Sequence, residues 1–158
     1  MARTDRGEPT ADPSLTVEAA DPDDLDAVEG LLEANDLPAR DVRTSPATFY
    51  LARADARLVG VGGVEPYGSA GLLRSVVVEE SHRGRGYGAA LCDALEARAA
   101  ERGVETLYLL TTTAAGFFRR NGYGAVPREE APPSVRGTTQ FADLCPTSAT
   151  CMRKDLGN

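Results

Sequence analysis

The sequence lacks several residue types, and each absence narrows the kind of site it can hold. Its 158 residues include no tryptophan, no isoleucine, a single lysine, Lys154, and a single histidine, His82. The three cysteines, Cys92, Cys145 and Cys151, form no Cys-x-x-Cys pair, so neither a Cys/His zinc site nor another metal site is expected. An odd number of cysteines without a secretion signal indicates free thiols.

Long apolar runs and an excess of basic charge are also missing. No apolar stretch approaches the roughly 20 residues that a membrane span needs, and residues 1–13 lack the apolar core of a signal peptide. A cytoplasmic protein without a membrane partner is therefore expected. Lysine and arginine total 17 against 24 aspartates and glutamates, a net charge of −7, which argues against a nucleic-acid-binding protein.

The apolar patterns predict one α/β domain over residues 14–158, after a mobile polar tail over residues 1–13. Strands are predicted over 14–19, 49–54, 57–64, 72–78, 106–110 and 149–156. Helices are predicted over 21–37, 86–102 and 114–121. Turns are predicted around Asp55 and over 65–71, and residues 127–146 are predicted to be rich in loops. The sheet is expected to be mixed, with an antiparallel meander in its N-terminal half.

The strongest local signal is the glycine-rich segment between the strand over 72–78 and the helix over 86–102. It consists of Arg83, Gly84, Arg85, Gly86, Tyr87 and Gly88, followed by Ala89. Alternating glycines let the backbone approach a ligand closely, and the N–H groups at the start of a helix favour an anion. Two arginines add positive charge in an acidic chain. The segment therefore predicts a cradle for phosphate or pyrophosphate, with a flexible turn as the structural alternative.

Two other phosphate-binding loops fit this segment less well. A P-loop requires a lysine after its last glycine, and none is present here. The dinucleotide pattern G-x-G-x-x-[GA] is met by Gly84, Gly86 and Ala89. However, polar residues from Glu79 to His82 separate the strand from the first glycine, whereas the dinucleotide turn is tight.

The segment closely resembles the acyl-CoA loop of the GNAT N-acetyltransferases. The loop signature [QR]-x-x-G-x-[GA] is met by Arg83, Gly86 and Gly88. A second family pattern, F-[YF]-x-x-x-G-[FY], is met by Phe117, Phe118, Gly122 and Tyr123. The resemblance covers residues 14–156 and implies the GNAT fold, acetyl-CoA as co-substrate, and a small amine as the acceptor. It also implies direct attack of the amine within a ternary complex.

The resemblance assigns cofactor-binding positions on three elements. Backbone groups of the strand at Val76 and Val78 would bind the pantetheine arm, in a splay between this strand and the one over 106–110. The N–H of Val78 would also polarise the thioester carbonyl. Residues 83–89 would bind the pyrophosphate, and Phe117 and Phe118 would lie beside the cofactor or simply pack in the core.

The general acid and the general base stay open. The family often has a tyrosine where this chain has Phe118, and a phenyl ring cannot protonate a thiolate. Water is one alternative, and the other candidate acids are the hydroxyls of Tyr123, Tyr108 and residues 111–113, with Tyr123 as the first choice. The candidate bases are Glu79, Glu65 and His82, with Glu79 as the first choice, and each can act through water.

Three polar residues are candidates for the acceptor site. Arg74 lies in an apolar strand, where a charge needs a partner. Because it follows the alternation of Val76 and Val78, it is interpreted either as a fork for an acceptor carboxylate or as part of an internal salt bridge. Thr111 and Thr112 are interpreted either as lining the acceptor pocket or as a cap for the following helix.

A narrower resemblance points to the N-acetyltransferase subgroup of arsenic-resistance operons. It rests on residues 72–78, 107–114 and 141–149, and it implies an amino acid or an amino-acid-like toxin as acceptor. An N-acetylglutamate synthase-like enzyme and a non-catalytic acyl-CoA sensor are the alternatives. The spacing of Cys145 and Cys151 does not define an arsenic site. Many family members dimerise, so a homodimer is a partner to test besides the small amine.

Overall fold

The computed structural model describes residues 15–37, 39–79, 86–138 and 149–156. The strands are β1 (Leu15–Ala19), β2 (Thr48–Ala54), β3 (Arg57–Tyr67), β4 (Ala70–Val78), β5 (Thr106–Thr111), β6 (Gly124–Ala125) and β7 (Thr150–Asp155). The helices are α1 (Leu25–Ala34), α2 (Tyr87–Glu101), α3 (Ala115–Arg120) and α4 (Pro133–Arg136). The predicted tail over 1–13 lies outside the described residues.

Within these ranges the strands form one mixed sheet in the order β1-β2-β3-β4-β5-β7-β6. Strands β1 to β4 form an antiparallel meander, as predicted, and β4 pairs with β5 in parallel. Strand β7 lies antiparallel between β5 and β6. The α/β fold predicted from the sequence is therefore confirmed. No helix in the described ranges is both long enough and apolar enough to cross a bilayer.

The first helical segment starts where its capping signal places it. The Asp21 carboxylate accepts a hydrogen bond from the N–H of Asp23, and the Asp24 carboxylate accepts one from the N–H of Asp21, each at 3.0 Å. This reciprocal cap precedes a 3₁₀ turn over Pro22–Asp24 that leads into α1. Val28 and Leu32 then bury the inner face of α1.

The two hairpin turns of the meander differ in how well they were predicted. Asp55 and Ala56 both have positive φ, as expected for the tight turn between β2 and β3. The turn predicted over 65–71 is wrong in length, because β3 continues to Tyr67 and β4 begins at Ala70. Pro66 pairs with Gly71 within the ladder, where the sequence suggested two strand breakers.

Apolar side chains cover both faces of the sheet. On one face, α2 packs through Leu91 and Leu95 against Leu73 of β4 and Leu107 of β5. On the other face, α1 and the segment 39–47 pack against β2, β3 and Val77. A third cluster joins β4 and β5 to α4 on this second face; it contains Leu72, Tyr108, Ala131, Val135 and Cys151. The sheet therefore has an α2 face and an α1 face, and these two names are used below.

Candidate active site

Strands β4 and β5 separate partway along their length. Their parallel ladder runs from Ala70 opposite Thr106 to Leu72 opposite Tyr108 and ends there. Strand β4 stays paired with β3 as far as Val78, and β5 stays paired with β7 as far as Thr111. The two strands therefore leave an opening in the middle of the sheet. This splay is the geometry that the resemblance implied.

A β-bulge in β4 lies beside this opening. Val61 of β3 is opposite Val77, but Gly63 is opposite Arg74, so β4 holds one residue more than β3 in this interval. Ser75 lies in the bulge and has a φ of 60°. As a result the side chains change phase along the strand.

The phase change corrects the predicted alternation of Arg74 with Val76 and Val78. Both valines pack on the α2 face, whereas Val77 packs on the α1 face. The Arg74 guanidinium also lies on the α1 face, 5.5 Å from the centre of the Phe49 ring. Arg74 therefore does not share a face with the two valines.

The start of α2 lies at the open end of the splay. Gly86 precedes the helix with a φ of 83°, which suits glycine, and its carbonyl accepts the N–H of Ala90. A Cβ on Gly88 would lie 2.9 Å from Cε1 of Phe117 and 3.8 Å from Cγ2 of Val78. Close packing of Phe117 therefore requires glycine at position 88. It also brings three predicted cofactor elements together.

Several predicted cofactor residues lie elsewhere or outside the described residues. Tyr87 and Ala89 belong to the first turn of α2. Arg83, Gly84 and Arg85 lie outside the described residues, as does the candidate base His82. Phe118 is buried, and its ring packs edge-to-face on Phe117 and Tyr123. Of the two roles predicted for Phe118, a place beside the cofactor or packing in the core, its contacts therefore fit packing in the core.

The hydroxyl of Tyr123, the first choice for the general acid, already has a hydrogen-bond partner. Its hydroxyl donates to Oε2 of Glu96 at 3.0 Å, in the third turn of α2, and its ring lies 5.6 Å from Nζ of Lys154. Burial, followed by the nearby charge of Glu96, raises the pKa of Tyr123 well above its usual range. The hydroxyl is therefore bonded to Glu96 on the α2 face, and its raised pKa makes it a weaker acid than an ordinary tyrosine.

Arg74 forms an internal salt bridge. Its Nη1 and Nη2 donate to the two carboxylate oxygens of Asp41 at 2.5 and 2.7 Å, and Nη1 also lies 3.3 Å from Oε2 of Glu65. The Arg74 side chain is 0% exposed. Burial lowers the pKa of Arg74, but the hydrogen bonds and charges of Asp41 and Glu65 together raise it by more. Of the two interpretations of Arg74, the internal salt bridge is therefore the one that the structure has, because Asp41 already binds the two nitrogens that would have held an acceptor carboxylate.

Glu65 completes this buried cluster and is not an open base. Its Oε1 accepts the hydroxyl of Tyr67 at 2.5 Å, and its Oε2 accepts that of Ser45 at 2.7 Å. The residue is only 2% exposed. Burial, and then the bond to Glu65, raises the pKa of Tyr67, so this phenol stays protonated. Asp41 and Ser45 lie between α1 and β2. The sequence patterns did not single them out, although a buried arginine signals acidic partners.

The remaining predicted residues lie at the ends of β4 and β5. Thr111 Oγ1 accepts the N–H of Ala114 at 3.0 Å, which is the capping alternative for this residue. Thr112 is exposed just beyond β5. Glu79 directly follows β4, and its N–H donates to the carbonyl of Val59. Its role as a base stays a prediction.

Tyr108 stands at the last paired position of β4 and β5. It is opposite Leu72, on the α1 face, and is 7% exposed. Its hydroxyl has no hydrogen-bond partner among the residues that the structure describes. Among the candidate acids, this residue stands at the closed end of the splay.

The cysteines with described positions are buried thiols. Cys92 lies in α2 and Cys151 in β7. Burial raises the pKa of Cys92 to about 12 and also raises the pKa of Cys151. Cys145 lies outside the described residues. Within the described ranges, no group of three or more acidic, histidine or cysteine side chains could hold a metal ion.

Residues 45–124 match the family model described as the acetyltransferase (GNAT) domain. The chain belongs to the GNAT family. It is also 30% identical, over 105 residues, to an uncharacterized N-acetyltransferase of Chlorobaculum tepidum. That match covers 65% of this chain and 64% of the relative, so it spans somewhat less than two thirds of that protein.

Solved structures share the fold of this GNAT chain. N-acetylglutamate synthase from Neisseria gonorrhoeae, complexed with coenzyme A and L-arginine, matches with a TM-score of 0.77 at 18% identity, over 93% of this chain and 34% of that chain. Rv2747 from Mycobacterium tuberculosis, in complex with CoA and NLQ, matches with a TM-score of 0.73 at 21% identity, over 89% of this chain and 98% of that one. At these identities the likeness establishes the fold alone.

Proposed function

We propose that this chain is an acetyl-CoA-dependent N-acetyltransferase that acetylates a small amine by direct attack in a ternary complex. The observation that carries the proposal is the opening between β4 and β5, which leads to the glycine-flanked start of α2. Membership of the GNAT family supports it. Solved relatives with the same fold were crystallised with coenzyme A or acetyl-CoA, which supports the choice of cofactor.

The cofactor would lie along the open edge of β4. The N–H of Glu79 donates to Val59, so the alternation of an antiparallel ladder directs the N–H of Val78 away from β3 and toward the opening. This direction supports Val78 as the donor to the thioester carbonyl, with Val76 beside the pantetheine arm. Gly86, Gly88 and the adjoining residues 83–85 would hold the pyrophosphate at the start of α2.

Acetyl transfer requires a neutral amine, a polarised carbonyl and a leaving thiolate. The amine nitrogen bonds to the acetyl carbon, the carbon–sulfur bond breaks, and its electron pair goes to sulfur. Orientation of the two substrates supplies much of the rate enhancement. We assign the proton for sulfur to water, since Tyr108 is opposite Leu72, six positions along β4 from Val78, and its phenol is too short to reach a sulfur held at the Val78 N–H. Glu79, through water, is the candidate that removes the proton from the amine.

The acceptor is proposed to be an amino acid or an amino-acid-like toxin. This choice rests on the sequence resemblance to the arsenic-resistance subgroup. Since Asp41 occupies the fork of Arg74, an acceptor carboxylate would need other donors. Thr112, exposed beyond the end of β5, is one of them. An N-acetylglutamate synthase-like enzyme is the second candidate, because the segment Leu110-Thr111-Thr112 resembles one in the acetyltransferase domain of those enzymes.

The experiment is a thiol-release assay with acetyl-CoA and a panel of amines. The panel contains glutamate, arginine, phosphinothricin and polyamines, and acetyl-CoA binding is measured in parallel by calorimetry. Acceptor-dependent release of coenzyme A, with the acetylated product identified by mass spectrometry, is the expected result. Tight binding without release for every amine would favour a non-catalytic acyl-CoA sensor, and absence of binding would overturn the proposal.

A further inference from the structure

Ser75 adopts an unusual backbone conformation for a residue inside a strand. Among the described non-glycine residues, Asp36, Asp55, Ala56 and Ser75 have positive φ, and the first three lie in turns. The left-handed region is unfavourable for any residue with a Cβ. Such a conformation persists when the surrounding structure holds it in place.

The side chain of Arg74 supplies that hold. Its Nε donates to Oγ of Ser75 at 2.9 Å, while both Nη atoms are bound by Asp41 and one of them also faces Glu65. A guanidinium bonded along three edges and fully buried has one orientation. Ser75 is therefore tied to a group that cannot rotate.

Glycine on the neighbouring strand makes room for this arrangement. A Cβ on Gly63, opposite Arg74, would lie 2.9 Å from Cε1 of Phe49 and 3.4 Å from Cγ of Arg74. A Cβ on Gly62 would lie 2.5 Å from Cδ1 of Leu95. Strand β3 therefore carries no side chain at Gly62 and Gly63, beside the bulge. The absence of a side chain at Gly63 lets Arg74 and Phe49 pack together on the α1 face.

The bulge determines how β4 presents itself to the opening. Without the extra residue, Val76 and Val78 would share the α1 face with Arg74, as simple alternation predicts. With the extra residue, both valines lie on the α2 face. The pairing of β4 with β5 ends at Leu72, only two positions before Arg74, so the bulge lies directly beyond the end of that pairing. The conformation of Ser75 therefore fixes the edge along which pantetheine is proposed to bind.

We propose that Arg74 and Asp41 are positioning residues for acetyl-CoA, which act by holding Ser75 in the left-handed conformation that forms the β4 bulge. The inference rests on the proposed function, because it takes the opening as the cofactor site. Asp41 belongs to the segment that follows α1, so this contact links that segment to the cofactor edge of β4. Neither residue is required to touch the cofactor.

The first test compares two variants that both lose the Ser75 hydroxyl. Glycine accepts positive φ without strain, whereas alanine does not. We expect Ser75→Ala to raise the Kd for acetyl-CoA about tenfold, the factor that matches the unfavourable conformation once it is no longer held. We expect Ser75→Gly to stay within about threefold of the wild type. Equal Kd values for the two variants would overturn the inference.

The second test asks whether Arg74 acts through Ser75. Arg74→Lys keeps the charge, but one ammonium group cannot bond Asp41, Glu65 and Ser75 in the fork geometry. We expect this variant to bind acetyl-CoA about tenfold more weakly, and the double variant Arg74→Lys/Ser75→Gly to regain the affinity of Ser75→Gly. A double variant that remains as weak as Arg74→Lys would overturn the inference.

A backbone measurement separates this inference from the proposed function. Backbone NMR shifts of Ser75 report whether its φ is positive, with or without cofactor. We expect a positive φ in the wild type and its loss in Arg74→Lys. If the wild type binds no acetyl-CoA, the proposed function fails and so does the positioning role; if it binds and Arg74→Lys keeps both the φ and the affinity, only the positioning role fails.

Discussion

The guanidinium of Arg74 donates two hydrogen bonds, at 2.5 and 2.7 Å, to the carboxylate of Asp41, which lies 33 positions earlier in the sequence. Both side chains are buried, and Glu65 adds a second carboxylate to the same cation. One positive and two negative formal charges are thus enclosed between β3, β4 and the segment after α1. Removing the cation would leave both carboxylates without a counter-charge.

Arg74→Met is therefore expected to lower the free energy of unfolding by about 3–5 kcal/mol, since it breaks a buried pair and leaves uncompensated charge. Asp41→Asn should lower it by less, because Glu65 still neutralises Arg74. Urea denaturation at neutral pH measures both. The exposed pair Arg53–Glu18 is the control, and Arg53→Gln should change stability by about 0–1 kcal/mol. Similar losses for Arg74→Met and Arg53→Gln would contradict the argument.

The buried thiol of Cys92 predicts a loss of stability at alkaline pH. Its pKa is raised to about 12 in the folded protein, while an unfolded cysteine titrates near 8.5, so between these values the unfolded chain loses a proton that the folded chain keeps. The contribution of the Cys92 thiol to the free energy of unfolding is therefore fully present below about pH 8.5. It is lost as the pH rises toward 12, by up to about 1.4 kcal/mol per pH unit.

The check is denaturant unfolding between pH 7 and pH 10 for the wild type and Cys92→Ala. The variant loses packing at every pH, which shifts its curve uniformly, but it should lose stability less steeply above pH 8.5. Parallel curves would show that Cys92 does not contribute to the alkaline limb.

Sequence patterns predicted those parts of the fold and site that depend on local signals. The capping residues at Asp21, the strand-loop-helix order and the splay beyond Leu72 all follow from neighbouring residues or from a motif. A single serine within an apolar strand carries no signal for a bulge, so simple alternation placed Arg74 on the wrong face. Likewise, a motif match locates Tyr123 along the chain but not the partner of its hydroxyl, Glu96.

The phenol of Tyr108 tests whether water is the proton donor. We expect Tyr108→Phe to keep kcat within about threefold of the wild type, because the phenol lies too far along β4 from Val78 to protonate the sulfur, whereas loss of a general acid would lower kcat about a hundredfold or more. The Kd for acetyl-CoA should stay within about twofold. Tyr50→Phe is the matched control, because Tyr50 is also buried but packs on the α2 face beneath Arg98. A kcat about a hundredfold lower in Tyr108→Phe, but not in Tyr50→Phe, would overturn this assignment and make the phenol the acid.

Gly88 tests whether the start of α2 forms the pyrophosphate cradle. A Cβ there would lie 2.9 Å from the Phe117 ring, so Gly88→Ala must displace either that ring or the first turn of α2. We expect the Kd for acetyl-CoA to rise about tenfold with little change in fold. Gly30→Ala is the control, since nothing lies within 4 Å of a Cβ at that position in α1, and alanine should raise stability by up to about 1 kcal/mol there. Because both changes add one methyl group to a helix, only the position of the glycine distinguishes them. An unchanged Kd in Gly88→Ala would mean that the cofactor does not bind at this helix start.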